Sequence, residues 1–202
     1  MRDPLNIRAV EQLDVDWMGF IFWDRSKRHV SHCPLYMPKR QKRVGVFVDS
    51  SIDDIVSHIE DYSLDIVQLH GSESRDYIER LKLKASASVV IIKSFNVSCA
   101  SDFEMTRKYE SVSDYFLFDS KSTLPGGSGR QFDWSVLQYY DGDVPFLLSG
   151  GIGPSDYDSI RRIRHPQFSG IDLNSGFEIS PSLKDTEKLK TFLTRLNSKN
   201  DE

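Results

Sequence analysis

Short apolar runs alternate along this chain with segments whose apolar residues recur at every third or fourth position, and the alternation repeats from one end to the other. The runs are 17–23 (W-M-G-F-I-F-W), 44–48 (V-G-V-F-V), 66–69 (I-V-Q-L), 89–92 (V-V-I-I), 115–118 (Y-F-L-F), 144–148 (V-P-F-L-L) and 168–173 (F-S-G-I-D-L). Each is too short for a helix and rich in β-branched or aromatic residues, so each predicts a strand. Between them lie helical stripes. Asp3-Pro4 reads as an N-cap with proline at the first helical position, followed by Leu5, Ile7, Val10 and Leu13. Asp49-Ser50-Ser51 precedes Ile52, Ile55, Val56 and Ile59. Further stripes cover 77–83, a weaker stretch near 101–109, a short one marked by Trp134 and Leu137, the segment after Pro154-Ser155-Asp156, and 183–196. The count is about seven strands and about eight helices, one of them poorly marked within 31–42.

Strands that are apolar on both faces and separated by helices run parallel under a helical cover. A doubly wound open sheet and a closed barrel both satisfy this. The even spacing, without long interruptions or low-complexity linkers, favours an α/β fold of the (β/α)8 TIM-barrel type, one domain over 1–202. A closed barrel of this type needs one strand more than the pattern supplies. The deficit falls at the first strand, so seven strands are expected and the domain reads as truncated at its N-terminus. Such a sheet has two unpaired edges, which favour association or distortion around the gap.

Composition narrows the partners. At 202 residues, 39% hydrophobic and 28% charged, the chain can bury one sizeable core. A net charge of -4 offers no electrostatic reason to bind nucleic acid or an anionic membrane. Lys39, Arg40, Lys42 and Arg43 form a small basic cluster that reads as a solvated face. No stretch approaches the roughly 20 apolar residues of a membrane span, and the first residues lack the apolar region of a signal peptide, so a cytoplasmic location is expected. Cys33 and Cys99 lie far apart without metal-ligand spacing, although His32 adjoins one of them, and read as free thiols. No metal or organic cofactor is expected.

In a parallel barrel the polar residues just after the strands face the active site. Here they are Arg28, Asp49, Gln68, His70, Lys93, Asp119, Ser149-Gly150-Gly151 and 172–176. Glycine-bearing turns after the last two strands fit a phosphate cradle, since backbone N–H groups can approach an anion closely there; simple tight-turn sterics is the plain alternative. Asp119 ends the run Y-F-L-F-D ahead of a loop containing Gly126, Gly127 and Gly129. An acid where a buried strand surfaces is half desolvated and suited to proton donation, unless it merely caps a turn.

The motifs G-F-I-F with S-K-R-H-V (26–30), V-G-V-F-V (44–48), V-Q-L-H-G (67–71), L-F-D (117–119), P-G-G-S-G-R-Q-F-D-W (125–134), S-G-G-I (149–152) and D-L-N-S-G-F-E (172–178) occur in this order over nearly the whole chain. Together they resemble the phosphoribosylanthranilate isomerase family, enzymes of tryptophan biosynthesis that perform an Amadori rearrangement on a phosphorylated aminoribose. The resemblance implies that Asp119 is the general acid, protonating the furanose ring oxygen so that the ring opens to a Schiff base. It implies that Arg28 holds the anthranilate carboxylate, for which a guanidinium fork is suited, rather than being a surface arginine. Gly150, Gly151, Ser175 and Gly176 would bind phosphate through backbone amides. Gln68 and His70 would line the pocket, His70 alternatively being a satisfied strand-end histidine, and Asp172 would orient the ribose hydroxyls or the loop itself. The loop 121–131 would close over the substrate, as its glycines permit.

The chain departs from that family at its beginning. Members open with a strand of the form K-I-C-G, whose cysteine is the general base, whereas this chain starts M-R-D-P, resembling the residues just after that motif. Neither Cys33 nor Cys99 takes the role over. The expectation is an isomerase poorly active in this form, with Met1 an internal methionine and a further short strand upstream; a non-catalytic barrel binding a phosphorylated ligand is the alternative. A barrel aldolase or epimerase would need a Schiff-base lysine, for which Lys93 is the strand-end choice, or a metal set. The expected partner is a small phosphorylated molecule, and the chain is a monomer or homodimer.

Overall fold

The computed structural model describes residues 1–120 and 133–198, so the proposed closing loop 121–131 lies outside the described residues. Seven parallel strands follow one another in chain order across one sheet: β1 (Trp17–Ile21), β2 (Lys42–Phe47), β3 (Ile66–Leu69), β4 (Val90–Val97), β5 (Tyr115–Ser120), β6 (Phe146–Leu148) and β7 (Phe168–Ile171). Sequential order with helical crossovers is the winding of a (β/α)8 barrel. Among the described residues β1 and β7 are its two outer strands and do not pair with each other, so the sheet is one strand short of a closed eight-stranded barrel, with the gap between β1 and β7. All four residues of β3 are buried. On β1 only alternate residues are, because its inward face borders the gap.

The helices form where the caps direct. The Asp3 carboxylate accepts from the Asn6 N–H and Pro4 takes the first turn of α1 (Pro4–Glu11). Ser51 caps α2 (Ile52–Tyr62) and Ser74 caps α3 (Arg75–Lys84) in the same way. Helix α4 (Tyr157–Arg161) and helix α5 (Thr186–Asn197) cover the last strands. One core packs the helices on the outer face of the sheet through Phe47, Ile55, Leu69, Ile78, Phe116 and Phe118. A second lies on the opposite face, where Val44, Ile66, Ile92, Leu117 and Leu147 meet Trp17 and Tyr115.

Four expectations need correction. The segment 31–42 holds no helix: Pro34 and Pro38 interrupt it, and it is held by the Glu11 carboxylate, which accepts from Tyr36 Oη and from the Lys39 and Arg40 N–H groups. The stripes near 101–109 and after Asp133 are 3-10 helices, Ala100–Lys108 and Trp134–Tyr139. The terminal helix starts at Thr186 rather than 183, since Leu183–Lys184 forms β9, paired antiparallel with β8 (Glu178–Ser180). Strand β4 runs on to Val97, which makes Lys93 a mid-strand residue.

Candidate active site

The C-terminal ends of the strands open into a cavity of about 970 Å³ whose lining includes Arg28, Gln68, His70, Asp119, Ser149 and Asp172. It continues into the gap, where Trp17, Gly19 and Ile21 face Ser169, Ile171 and Leu173. The α-amino group of Met1 stands in that gap and donates to the Gly19 carbonyl at 2.6 Å. Burial, and next the nearby Lys184 charge, push its pKa from 8.0 down to about 5.

Two strand ends bring the imidazole to the acid. Gln68 is in β3 and His70 two residues on, at the same end of the strand; Gln68 Nε2 lies 3.1 Å from His70 Nδ1. With the amide donating into Nδ1, the ring carries its proton on Nε2. That nitrogen is 3.4 Å from Asp119 Oδ2, which β5 presents on the neighbouring part of the rim. At that separation the ring nitrogen and the carboxylate are within ion-pair range. His70 thus lines the cavity with Asp119 in reach and Gln68 as its partner.

Asp172 follows β7 and accepts from Ser149 Oγ at 3.1 Å. Burial pushes its carboxyl above the usual carboxylate range; the Lys184 charge and the Ser149 hydrogen bond oppose this without cancelling it. The cavity therefore holds two carboxyls in different surroundings, one facing an imidazole N–H and one desolvated.

The two glycine turns need glycine for different reasons. Gly150 and Gly151 take left-handed φ values of 85° and 68°. A Cβ at Gly151 would meet nothing within 4 Å, so only the backbone conformation requires glycine there. A Cβ at Gly176 would lie 2.4 Å from the Ile152 carbonyl oxygen. The turns after β6 and β7 thus pack backbone against backbone, with Ser149 and Asn174 lining the cavity; Gly150, Gly151, Ser175 and Gly176 sit beside these two without lining it themselves.

Arg28 is not an open fork. Its Nε donates to both Glu178 oxygens at 3.0 and 2.9 Å and its Nη2 to Oε2 at 2.6 Å, leaving Nη1 without a protein partner among the described residues. Glu178 also accepts from Lys184 Nζ at 3.3 Å. Burial alone would raise the Glu178 carboxyl, but its Arg28 bonds and the Lys184 charge hold it below the usual range. Sequence reasoning missed Glu178 and Lys184. Glu178 ends the motif D-L-N-S-G-F-E, but its partner is 150 residues away. Lys184 sits in what reads as the first turn of the terminal helix.

Other strand-end candidates stay out of the cavity. Lys93 is occupied by Glu73 and by the Leu69 and Gly71 carbonyls, and cannot serve as a Schiff-base lysine. Asp49 folds back onto the N–H and hydroxyl of Ser72. Cys33 and Cys99 are exposed free thiols, and neither lines the cavity. Among the described residues no three His, Cys, Asp or Glu side chains are grouped to hold a metal ion, and no helix is long and apolar enough to cross a membrane.

Comparison with known proteins gives a consistent result. The family model described as N-(5'phosphoribosyl)anthranilate (PRA) isomerase matches residues 2–195. The N-(5'-phosphoribosyl)anthranilate isomerase of Parabacteroides distasonis is 48% identical over 202 residues, covering 97% of this chain and 90% of the relative. The crystal structure of phosphoribosyl anthranilate isomerase from Thermotoga maritima superposes with a TM-score of 0.83 at 30% identity, covering 97% of this chain and 95% of the other. A further structure of this enzyme, in complex with reduced 1-(o-carboxyphenylamino)-1-deoxyribulose 5-phosphate, matches with a TM-score of 0.79 at 27% identity, covering 97% and 98%. The cavity at the strand ends lies at the mouth of a parallel barrel sheet, and the chain belongs to the N-(5'-phosphoribosyl)anthranilate isomerase family of tryptophan biosynthesis.

Proposed function

We propose that this cavity binds phosphoribosylanthranilate with its phosphate at the turns formed by Gly150, Gly151, Ser175 and Gly176, its carboxylate at Nη1 of Arg28, and its furanose ring oxygen at Asp119. What supports the reading is that Arg28, Asp119 and Asp172 line one cavity, with the glycine turns next to Ser149 and Asn174 on its wall. The protonated Asp119 gives its proton to the ring oxygen as the C1–O bond breaks, and the anthranilate nitrogen lone pair forms the C=N bond of the Schiff base. The His70 Nε2–H then faces the Asp119 anion at 3.4 Å and offsets its new charge. Removal of the C2 proton returns electrons to nitrogen and yields the enol of 1-(o-carboxyphenylamino)-1-deoxyribulose 5-phosphate. Asp172, held by Ser149, orients the ribose hydroxyls.

The step at C2 needs a base, and among the described residues no cysteine lines the cavity. A positioned acid or base contributes about 10²–10⁴-fold. A form in which Lys-Ile-Cys-Gly precedes Met1 is therefore expected to turn over faster than residues 1–202. The test is loss of phosphoribosylanthranilate fluorescence for the two forms. Activity only in the extended form supports the assignments. If both forms are folded, bind inorganic phosphate and remain inactive, Asp119 and Arg28 lose their roles and the barrel is a phosphate-ligand-binding module.

A further inference from the structure

We propose that Glu178 and Lys184 are positioning residues that set the spacing between the carboxylate and phosphate subsites. This rests on the reading of those subsites given above. The hairpin of β8 and β9 carries both residues and pairs Glu178 directly with Lys184. At one end, Glu178 grips Arg28 through three contacts, fixing the guanidinium plane and leaving Nη1 to the ligand. At the other, Lys184 Nζ donates to the Leu173 carbonyl at 3.1 Å, the Asn174 carbonyl at 3.2 Å and Asn174 Oδ1 at 2.9 Å, the residues that lead into Ser175 and Gly176. The 3.3 Å contact between Lys184 and Glu178 joins the two grips.

The hairpin is itself anchored. Asn6 of α1 accepts from the Lys184 N–H at 2.7 Å and donates to the Lys184 carbonyl at 2.8 Å. The Ser182 N–H closes the hairpin onto Glu178 Oε1 at 3.2 Å. The side chains of Glu178 and Lys184 are 5% and 11% exposed, so solvent does not screen the pair. Lys184 spends its donors on the protein, which excludes it as a direct ligand and marks it as a fixed strut. A substrate carrying its two anions on one frame benefits from subsites held at a set separation, because the second contact then forms without a search.

The experiment compares three probes by calorimetry: inorganic phosphate, anthranilate, and reduced 1-(o-carboxyphenylamino)-1-deoxyribulose 5-phosphate, which carries both groups. The variants are Lys184→Met, which leaves Glu178 paired with Arg28, Lys184→Arg as the conservative replacement, and Glu178→Gln. In Lys184→Met, phosphate affinity falls about five-fold or more and anthranilate affinity stays, while the two-armed probe loses about ten-fold beyond the phosphate loss. Lys184→Arg restores most of this. Glu178→Gln weakens both single probes. Should it fail to fold, the lysine variants decide alone. A folded Lys184→Met that binds all three probes as the parent does, or loses both single probes equally, overturns the proposal. If the unaltered protein binds none of the probes, the subsite reading itself falls and the strut falls with it.

Discussion

Lys93 Nζ lies 3.1 Å from Glu73 Oε2, and the two side chains are 4% and 1% exposed. Glu73 also accepts from the N–H groups of Asp49 and Gly71, so one carboxylate ties β4 to the turns that follow β2 and β3. A buried pair of this kind is costly to break from one side, because the remaining charge keeps its desolvation penalty. Lys93→Met is expected to cost about 3–5 kcal/mol, read from urea denaturation at neutral pH. A loss below about 1 kcal/mol would show that water reaches Glu73.

Much of the fold was legible in short runs of sequence, and the reason is local. The runs I-V-Q-L and Y-F-L-F become β3 and the start of β5 because a strand buried on both faces reads as a near-continuous apolar run, with Gln68 the one polar interruption in β3. Asp3-Pro4 specifies a helix start through contacts within a few residues. Glu11 and Glu178 were not legible. Each is a charged side chain whose meaning lies in partners 25 to 29 and 150 residues away. The strand-end reading of Lys93 failed because β4 continues through polar Ser94 and Asn96, where a stop looked natural.

The Asp119 assignment predicts a separation of chemistry from binding. In the form extended by Lys-Ile-Cys-Gly, Asp119→Asn is expected to lower kcat by about 10²–10⁴-fold. Inorganic phosphate affinity should stay within about two-fold, since the glycine turns owe nothing to the Asp119 carboxyl. Steady-state turnover with phosphate competition reads both. Retention of kcat would move the acid to Asp172, whose carboxyl burial already pushes up.

The glycine turns predict different costs for the same substitution. Gly176→Ala drives a methyl to 2.4 Å from the Ile152 carbonyl and must push the two turns apart, costing about 1–3 kcal/mol and most of the phosphate affinity. Gly151→Ala meets no atom within 4 Å and carries only the strain of φ 68°, about 1–2 kcal/mol. Phosphate titration of the two variants separates spacing from conformation. Equal loss in both would mean that φ alone shapes the cradle.

With Met1 as the first residue, its α-amine makes stability depend on pH between about 5 and 8. The folded pKa is about 5 against 8.0 for the free group, so in this window the unfolded chain binds more protons than the folded one. Stability therefore rises with pH across it, by up to about 1.4 kcal/mol per pH unit and on the order of 4 kcal/mol in all, and is lost as pH falls toward 5. Acetylating the amine removes the titration while keeping an N–H for the Gly19 carbonyl. Urea denaturation at pH 5.5, 6.5 and 7.5 should show the free-amine chain weakening on acidification and the acetylated chain changing much less. Parallel profiles would mean that the amine leaves its place beside Gly19 and stays charged in solvent, and that the gap between β1 and β7 is wetter than its apolar walls indicate.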